Sequence, residues 1–295
     1  MDGAVKPSEL TRSFNLSPFM NFLGAEIHVD AGKPVVSAQH RKEINNSVGT
    51  PHGGFISSML NAAATAEIES VMGHTDVALR NFNVNYLRVL REAGSHVSAR
   101  AEVLHATPSS ITTRAQLAGG GYVLAQADAV YEQGHPSLQT GQGYFVAQFN
   151  QPEVCPKVIP TQGFEAVQAA AKSAVPPYMK LLDVEFKAVE LGKISLIVPE
   201  VDPQMINPDR SVDPGFILSI VDSVGIAGRS ATEEGKYTMN GLEVNILEPL
   251  HADQAPFHVV GTVTKTGRKL VLVEANVTDD EGNWKATANL GCMPL

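Results

Sequence analysis

Two stretches of the chain place apolar residues about three and four apart, with mostly small polar residues between them: GGFISSMLNAAATAEIESVMG from Gly53 and PGFILSIVDSVGIAGRSA from Pro214. That spacing predicts a largely buried helix in each. Ahead of each helix lies a short helical turn, SPFMNFL or PPYMKLL, and then an alternating stretch, AEIHVDAGKPVVSAQ or VEFKAVELGKISLIVP. The Gly-Lys pair inside each alternating stretch predicts two strands joined by a turn. Behind the first helix come the strand-like runs NFNVNYLRVL, HVSARAEVLHA with SITTRAQLA, and YVLAQADAVY, and the second helix has counterparts. Each half is thus predicted to hold one buried helix and about five antiparallel strands, an α+β arrangement.

The two halves are copies. NSVGTPHGGFISSMLNAAATA from Asn46 aligns without a gap on NPDRSVDPGFILSIVDSVGIA from Asn207, an offset of 161 positions that superposes Gly54 on Gly215, Phe55 on Phe216 and Ala66 on Ala227. NVNYLRVL then aligns on EVNILEPL, Asn85 on Asn245, and GYVLAQADA on GNWKATANL, Ala125 on Ala286. Internal repetition at this length marks a duplicated structural unit. The expected division is a first domain over 1–133, a connection over 134–175 rich in Gly, Pro and Gln with a short helix at GFEAVQAAAKSA, and a second domain over 176–295.

Composition narrows the function classes. The 295 residues are 43% hydrophobic, enough for a packed core, and the net charge is −9 with no block of Lys and Arg. A nucleic-acid partner or a polybasic membrane patch is therefore not expected. No basic segment followed by an apolar core opens the chain, and no run approaches the length of a membrane span, so a soluble cytoplasmic protein is expected. Cys155 and Cys292 have no paired spacing, and the nine His residues are dispersed, so neither a metal nor another cofactor is expected.

The chemistry-bearing motif is Asn46, five residues, then His52-Gly53-Gly54 at the head of the first helix. This N-x5-HGG pattern resembles the hotdog-fold acyl-CoA thioesterases of the phenylacetyl-CoA type, and the likeness extends over both repeats, about 17–133 and 176–295. It implies a tandem double hotdog, in which each antiparallel sheet wraps a central helix. In that family two subunits share each site. One gives the Asn and the His-Gly-Gly loop, and the partner gives an acidic residue eight positions after the first Gly. Here the eighth position after Gly53 is Asn61, and the eighth after Pro214 is Asp222. Each half therefore carries what the other lacks, and the resemblance implies one site per chain.

Physical chemistry supports this division. A backbone N–H at the first turn of a helix, with the helix dipole behind it, can polarise a thioester carbonyl, and Gly53 lets the substrate approach without a Cβ. Asp222 can attack that carbonyl or activate a water, while Asn46 and His52 would brace the loop and donate hydrogen bonds. The opposite combination contains Asp213, Pro214, which lacks an N–H, and Asn61, a far weaker base, so hydrolysis is not expected there.

Gly54 is a further candidate for substrate contact. Thr238 and Asn240 stand near where relatives carry a hydroxyl that assists the acid. Lys265, Arg268 and Lys269 form the densest basic cluster, which reads equally as a contact for coenzyme A phosphates or as a solvated hairpin tip. The expected activity is hydrolysis of an acyl-CoA to a carboxylate and free CoA. The alternatives are a non-catalytic acyl-CoA binding protein and a hotdog hydratase or dehydratase, whose D-x-N-P-x-H pattern is absent because INPDRS lacks the His. Because double hotdogs resemble dimers that pair again, a homodimer is expected. Light scattering that returns a single 31.4 kDa species would refute it.

Overall fold

The structure is a computed structural model that describes residues 14–90, 94–133, 162–173, 175–232 and 237–294. In the first repeat α1 (Pro18–Phe22) leads into β1 (Ala25–Asp30) and β2 (Lys33–Gln39), then α2 (Gly53–Met72), β3 (Val77–Tyr86), β4 (His96–Ala106), β5 (Ser110–Gly119) and β6 (Tyr122–Gln133). After α3 (Gln162–Ser173) the order returns. It runs α4 (Pro177–Leu181), β7 (Glu185–Glu190), β8 (Lys193–Val198), α5 (Pro214–Ser223), α6 (Ile226–Ser230), β9 (Tyr237–Ile246), β10 (Phe257–Thr266), β11 (Val271–Thr278) and β12 (Trp284–Pro294).

Local chemistry sets these boundaries. Ser17 caps α1 by accepting from the Met20 N–H, with Pro18 at the first helical position, and α2 ends on Gly73 at φ 80°. The turn between β1 and β2 uses two left-handed residues, Ala31 and Gly32.

The twelve strands form one continuous sheet in the order β1-β2-β4-β5-β6-β3-β9-β12-β11-β10-β8-β7. The repeats meet where β3 pairs antiparallel with β9, Asn83 opposite Glu243 and Asn81 opposite Asn245. An approximate two-fold axis passes through the Asn83–Glu243 pair, since these residues occupy equivalent places in the two copies. The same axis runs between the helices. Ser58 Oγ lies 3.3 Å from its counterpart Ser219 Oγ, and each hydroxyl bonds to the Gly215 carbonyl. Close approaches of Gly54 to Ser219 and of Gly215 to Ser58 show that α2 and α5 run antiparallel. The fold is a double hotdog, with a core built from α2, α5 and the inner face of the sheet, including Phe55, Met59, Leu60, Phe216 and Leu218.

Two expectations need correction. Each repeat has six strands rather than five, because the run from His96 to Gly119 folds back at Thr107, whose hydroxyl accepts from the N–H of Ser110. The second helix is also interrupted. Its hydrogen bonds tighten to three-residue spacing, from Val224 N–H to Val221 C=O and from Gly225 N–H to Asp222 C=O, before α6 begins. The space there is tight: a Cβ on Gly225 would stand 2.3 Å from Met239 Cε, and one on Gly228 would stand 2.7 Å from Cys292 Sγ.

The helix expected at GFEAVQAAAKSA is α3, which packs against α6 and β7 with Val167 buried. The rest of the expected connection, residues 134–161 with Cys155, lies outside the described residues. No helix among the described residues is long and apolar enough to cross a membrane.

Candidate active site

Asn46 shapes the loop ahead of α2. Its Oδ1 accepts from the N–H groups of Val48 and Thr50, and its Nδ2 donates to Thr50 Oγ1. Such a side chain fixes a turn by satisfying backbone groups that would otherwise be orphaned. The loop is also tied to the second repeat, because Asn45 C=O accepts from the Tyr178 N–H in α4 and Arg229 of α6 donates to Ser47 Oγ at 3.1 Å. His52 is the N-cap of α2, with a buried ring tilted over the ring of Tyr178 at 4.7 Å between centroids.

Across the interface Asp222 rises from α5 and meets this helix start. Its Oδ2 lies 2.9 Å from His52 Nδ1, and a Cβ on Gly53 would stand only 2.4 Å from its Oδ1. Gly is thus required by the space the Asp222 carboxylate takes up. Gly53 is the first residue of α2, so its N–H has no partner one turn back within the helix.

The Nδ1 of His52 also stands 3.1 Å from the Gly54 N–H. One lone pair cannot serve both neighbours as an acceptor. If Nδ1 carries a proton it donates to Asp222, and if it is bare it accepts from the Gly54 N–H.

Asp222 has a second partner on its other oxygen, Tyr86 at the end of β3, with the hydroxyl 3.3 Å from Oδ1. Burial and then the Asp222 charge raise the Tyr86 hydroxyl well above the ordinary tyrosine range, so it stays a donor. Burial likewise raises Tyr178 and Tyr237 and pushes the Cys292 thiol up to about 12.

Asn46, His52, Gly53, Tyr86, Asp222 and Tyr237 line a cavity of about 960 Å³. One wall is apolar, with Phe55, Leu90, Val97, Leu117 and Leu124 from the first repeat. Another carries Ser47, Arg88, Arg229, Thr238 and Asn240. Asn240 is the extra residue of a bulge where β9 pairs with β12, and its Oδ1 is buried without a hydrogen-bond partner.

Other sequence-derived candidates lie elsewhere. Gly54 faces the helix interface, where a Cβ would stand 2.5 Å from Ser219 Cα, so its small size serves helix packing and it does not line the cavity. Arg268 and Lys269 are exposed on the turn between β10 and β11, outside the cavity lining. Tyr86, Tyr178, Arg88 and Arg229 are site residues that sequence reasoning missed. The one available signal was polar side chains ending or interrupting apolar runs.

The opposite combination is filled. Asn61 Oδ1 accepts from Tyr131 Oη at 2.8 Å, and Asp213 caps α5 by accepting from the Gly215 N–H at 2.7 Å with Pro214 at the first helical position. Tyr131 occupies the place that Cys292 holds in the second repeat, since each pairs with the residue just ahead of the bulge on the neighbouring strand, Leu79 on β3 and Met239 on β9.

Residues 48–130 match the family model of the thioesterase superfamily. No curated protein matches the chain. Among solved structures, a conserved protein of unknown function with a hot dog fold from Alicyclobacillus acidocaldarius aligns with 17% identity and a TM-score of 0.62, over 92% of this chain and 96% of that one. The tesB protein of Mycobacterium avium subsp. paratuberculosis aligns with 12% identity and a TM-score of 0.59, over 94% and 99%. The acyl-CoA thioesterase II TesB2 of Mycobacterium marinum aligns with 10% identity and a TM-score of 0.58, over 94% and 98%. The chain is a tandem double hotdog, and the part of it that bears the His52-Gly53 half-site matches the thioesterase superfamily.

Proposed function

We propose that this protein hydrolyses an acyl-CoA thioester to a carboxylate and free CoA at one site per chain. Asn46, His52 and Gly53 of the first repeat act there with Asp222 of the second. The observation that carries this reading is the buried Asp222 carboxylate placed against the N-terminus of α2 across the repeat interface.

In this mechanism the thioester carbonyl oxygen lies towards the Gly53 N–H, whose dipole stabilises the negative charge of the tetrahedral intermediate. Asp222 either takes the proton of the attacking water or itself attacks the carbonyl carbon, forming an anhydride that water then opens. In both routes the C–S bond breaks, the carboxylate product forms and the CoA thiolate leaves with a proton. His52 holds Asp222 through Nδ1, and Asn46 holds the loop. Arg88 and Arg229 in the cavity wall supply positive charge for the phosphates of an anionic carrier. Thr238 and Asn240 complete the polar wall around the thioester.

The test is release of free thiol from short, long and aromatic acyl-CoAs by the purified protein. Asp222→Asn should lower turnover by roughly 10²–10⁴-fold, the range of a lost acid-base group. Binding of acyl-CoA without turnover by the native protein would replace this reading with that of an acyl-CoA binding module. Single turnover in heavy-oxygen water separates the two routes, because only direct attack by Asp222 leaves the label in its carboxylate.

A further inference from the structure

Tyr86 and Ser57 form a hydroxyl pair beside Asp222 that the reaction above does not use. Ser57 Oγ, one turn into α2, lies 3.0 Å from Tyr86 Oη, which in turn lies 3.3 Å from Asp222 Oδ1. Each hydroxyl has a single proton. If Tyr86 donates to the carboxylate, its oxygen is left to accept, and Ser57 becomes its donor. The result is a directed chain from Ser57 through Tyr86 to Asp222. Its carboxylate end is held on the other oxygen by His52.

The pair occurs on one side of the molecule. Ser57 aligns with Leu218 and Tyr86 with Ile246, so neither hydroxyl is repeated in the second copy, whose helix faces Asn61 instead of an acid. Ser57 is fully buried, and Tyr86 lines the cavity. Two hydroxyls placed in the interior need a use for their polarity, and here the chain ends on the only acid among the described residues of the cavity lining.

We infer that Tyr86 is a positioning residue that holds Asp222 ionised and aimed at the Gly53 helix start, and that Ser57 orients Tyr86. This rests on the proposed role of Asp222. The groups facing that carboxylate are His52 at the start of α2, Tyr86 on β3, Tyr178 on α4, Tyr237 on β9 and Cys292 on β12. Among the four besides His52, Tyr86 is the one within hydrogen-bonding distance of it.

A hydrogen bond to the ionised form favours it, so removing the donor should raise the pH at which Asp222 takes up a proton. The test is Tyr86→Phe, which keeps the ring. Turnover should fall about 10–100-fold with KM within about 3-fold, and the acid limb of the rate profile should move about one pH unit higher. Ser57→Ala should move both in the same direction by a smaller factor, since it acts one bond further away. In an Asp222→Asn background, Tyr86→Phe should cost nothing more, because the hydroxyl works through the carboxylate.

An independent readout is the infrared carboxyl band of the native chain in carboxyl-labelled aspartate, isolated by difference against Asp222→Asn. Its titration midpoint should rise in Tyr86→Phe whether or not any thioester is cleaved. If the native protein releases no thiol while the midpoint rises, the proposed reaction fails and the positioning role stands. An unmoved midpoint in a variant with native circular dichroism overturns the positioning role.

Discussion

Asp222 and Asn61 occupy equivalent places in the two helices and stand in different surroundings. The carboxylate of Asp222 faces a cavity and is held by His52 and Tyr86, whereas Asn61 faces inward and accepts from the buried Tyr131 hydroxyl. Replacing Asn61 by Ala should therefore leave turnover within a few-fold but strand the Tyr131 hydroxyl, at a cost of about 1–3 kcal/mol in chemical unfolding. Asp222→Asn should show the reverse, a lost reaction with a small change in stability, because an amide fills the same volume. An inactive Asn61→Ala beside an active Asp222→Asn would assign the chemistry to the wrong half. Gly54 makes a third contrast at this scale. Gly54→Ala drives a methyl into the Ser219 backbone, so the two central helices must separate, and a loss of about 1–3 kcal/mol is expected from overpacking. The Asn61–Asp222 difference was readable from spacing along the helix. The helix-packing use of Gly54 was not, because the surface it touches belongs to a segment about 160 residues away.

At the scale of elements, the two helix starts show what duplication did. His52-Gly53 opens α2 with a ring at the N-cap position and a residue small enough for Asp222 to approach. Asp213-Pro214 opens α5 with an ordinary side-chain cap and a ring whose fixed φ suits the first helical position. The second start suits helix initiation, and its Pro214 offers no N–H at the first helical position.

Burial raises the Asp213 carboxyl above its usual range, although hydrogen bonds from Ser17 and from the Gly215 and Phe216 N–H groups pull it down in part. A raised folded value means that the native state holds the proton more tightly than the unfolded chain. The stability from this site is fully present below the unfolded carboxylate value of about 3.9 and is lost as pH rises through the folded value. Asn caps as well as Asp without ionising. Asp213→Asn should therefore raise the unfolding temperature at pH 7, and the advantage should shrink as the pH approaches about 4. An equal gain at both pH values would show that ionisation is not its source.

For the whole molecule, the β3–β9 ladder and the α2–α5 contact join what would otherwise be two separate subunits. Splitting the chain in the connection exposes an apolar helix face and two unpaired central strands, the situation that drives strands to associate edge to edge. The two halves should be poorly soluble alone and should re-associate on co-expression. Two monomeric, well-behaved halves in size-exclusion chromatography would contradict this. Covalent joining also accounts for the asymmetry. Two identical subunits must keep both of their shared sites alike, but a fused chain can keep Asp222 against Gly53 and let Asn61 and Pro214 drift.

The sequence by itself determined the duplication, the helix and strand periods, and the residues that stand at equivalent places, because each is a property of local order along the chain. The division into a His-Gly half-site and an acidic one came instead from the resemblance to hotdog thioesterases, applied to positions the repeat makes equivalent. Only the tertiary structure decided that the second helix breaks at Gly225, where Met239 and Cys292 crowd the backbone from other strands. It also decided that Gly54 packs a helix instead of lining the cavity, and that Tyr86 and Arg229 line the cavity with the residues of the motif. Those outcomes depend on which surfaces a continuous twelve-stranded sheet brings face to face, and such contacts between distant segments leave no period in the sequence.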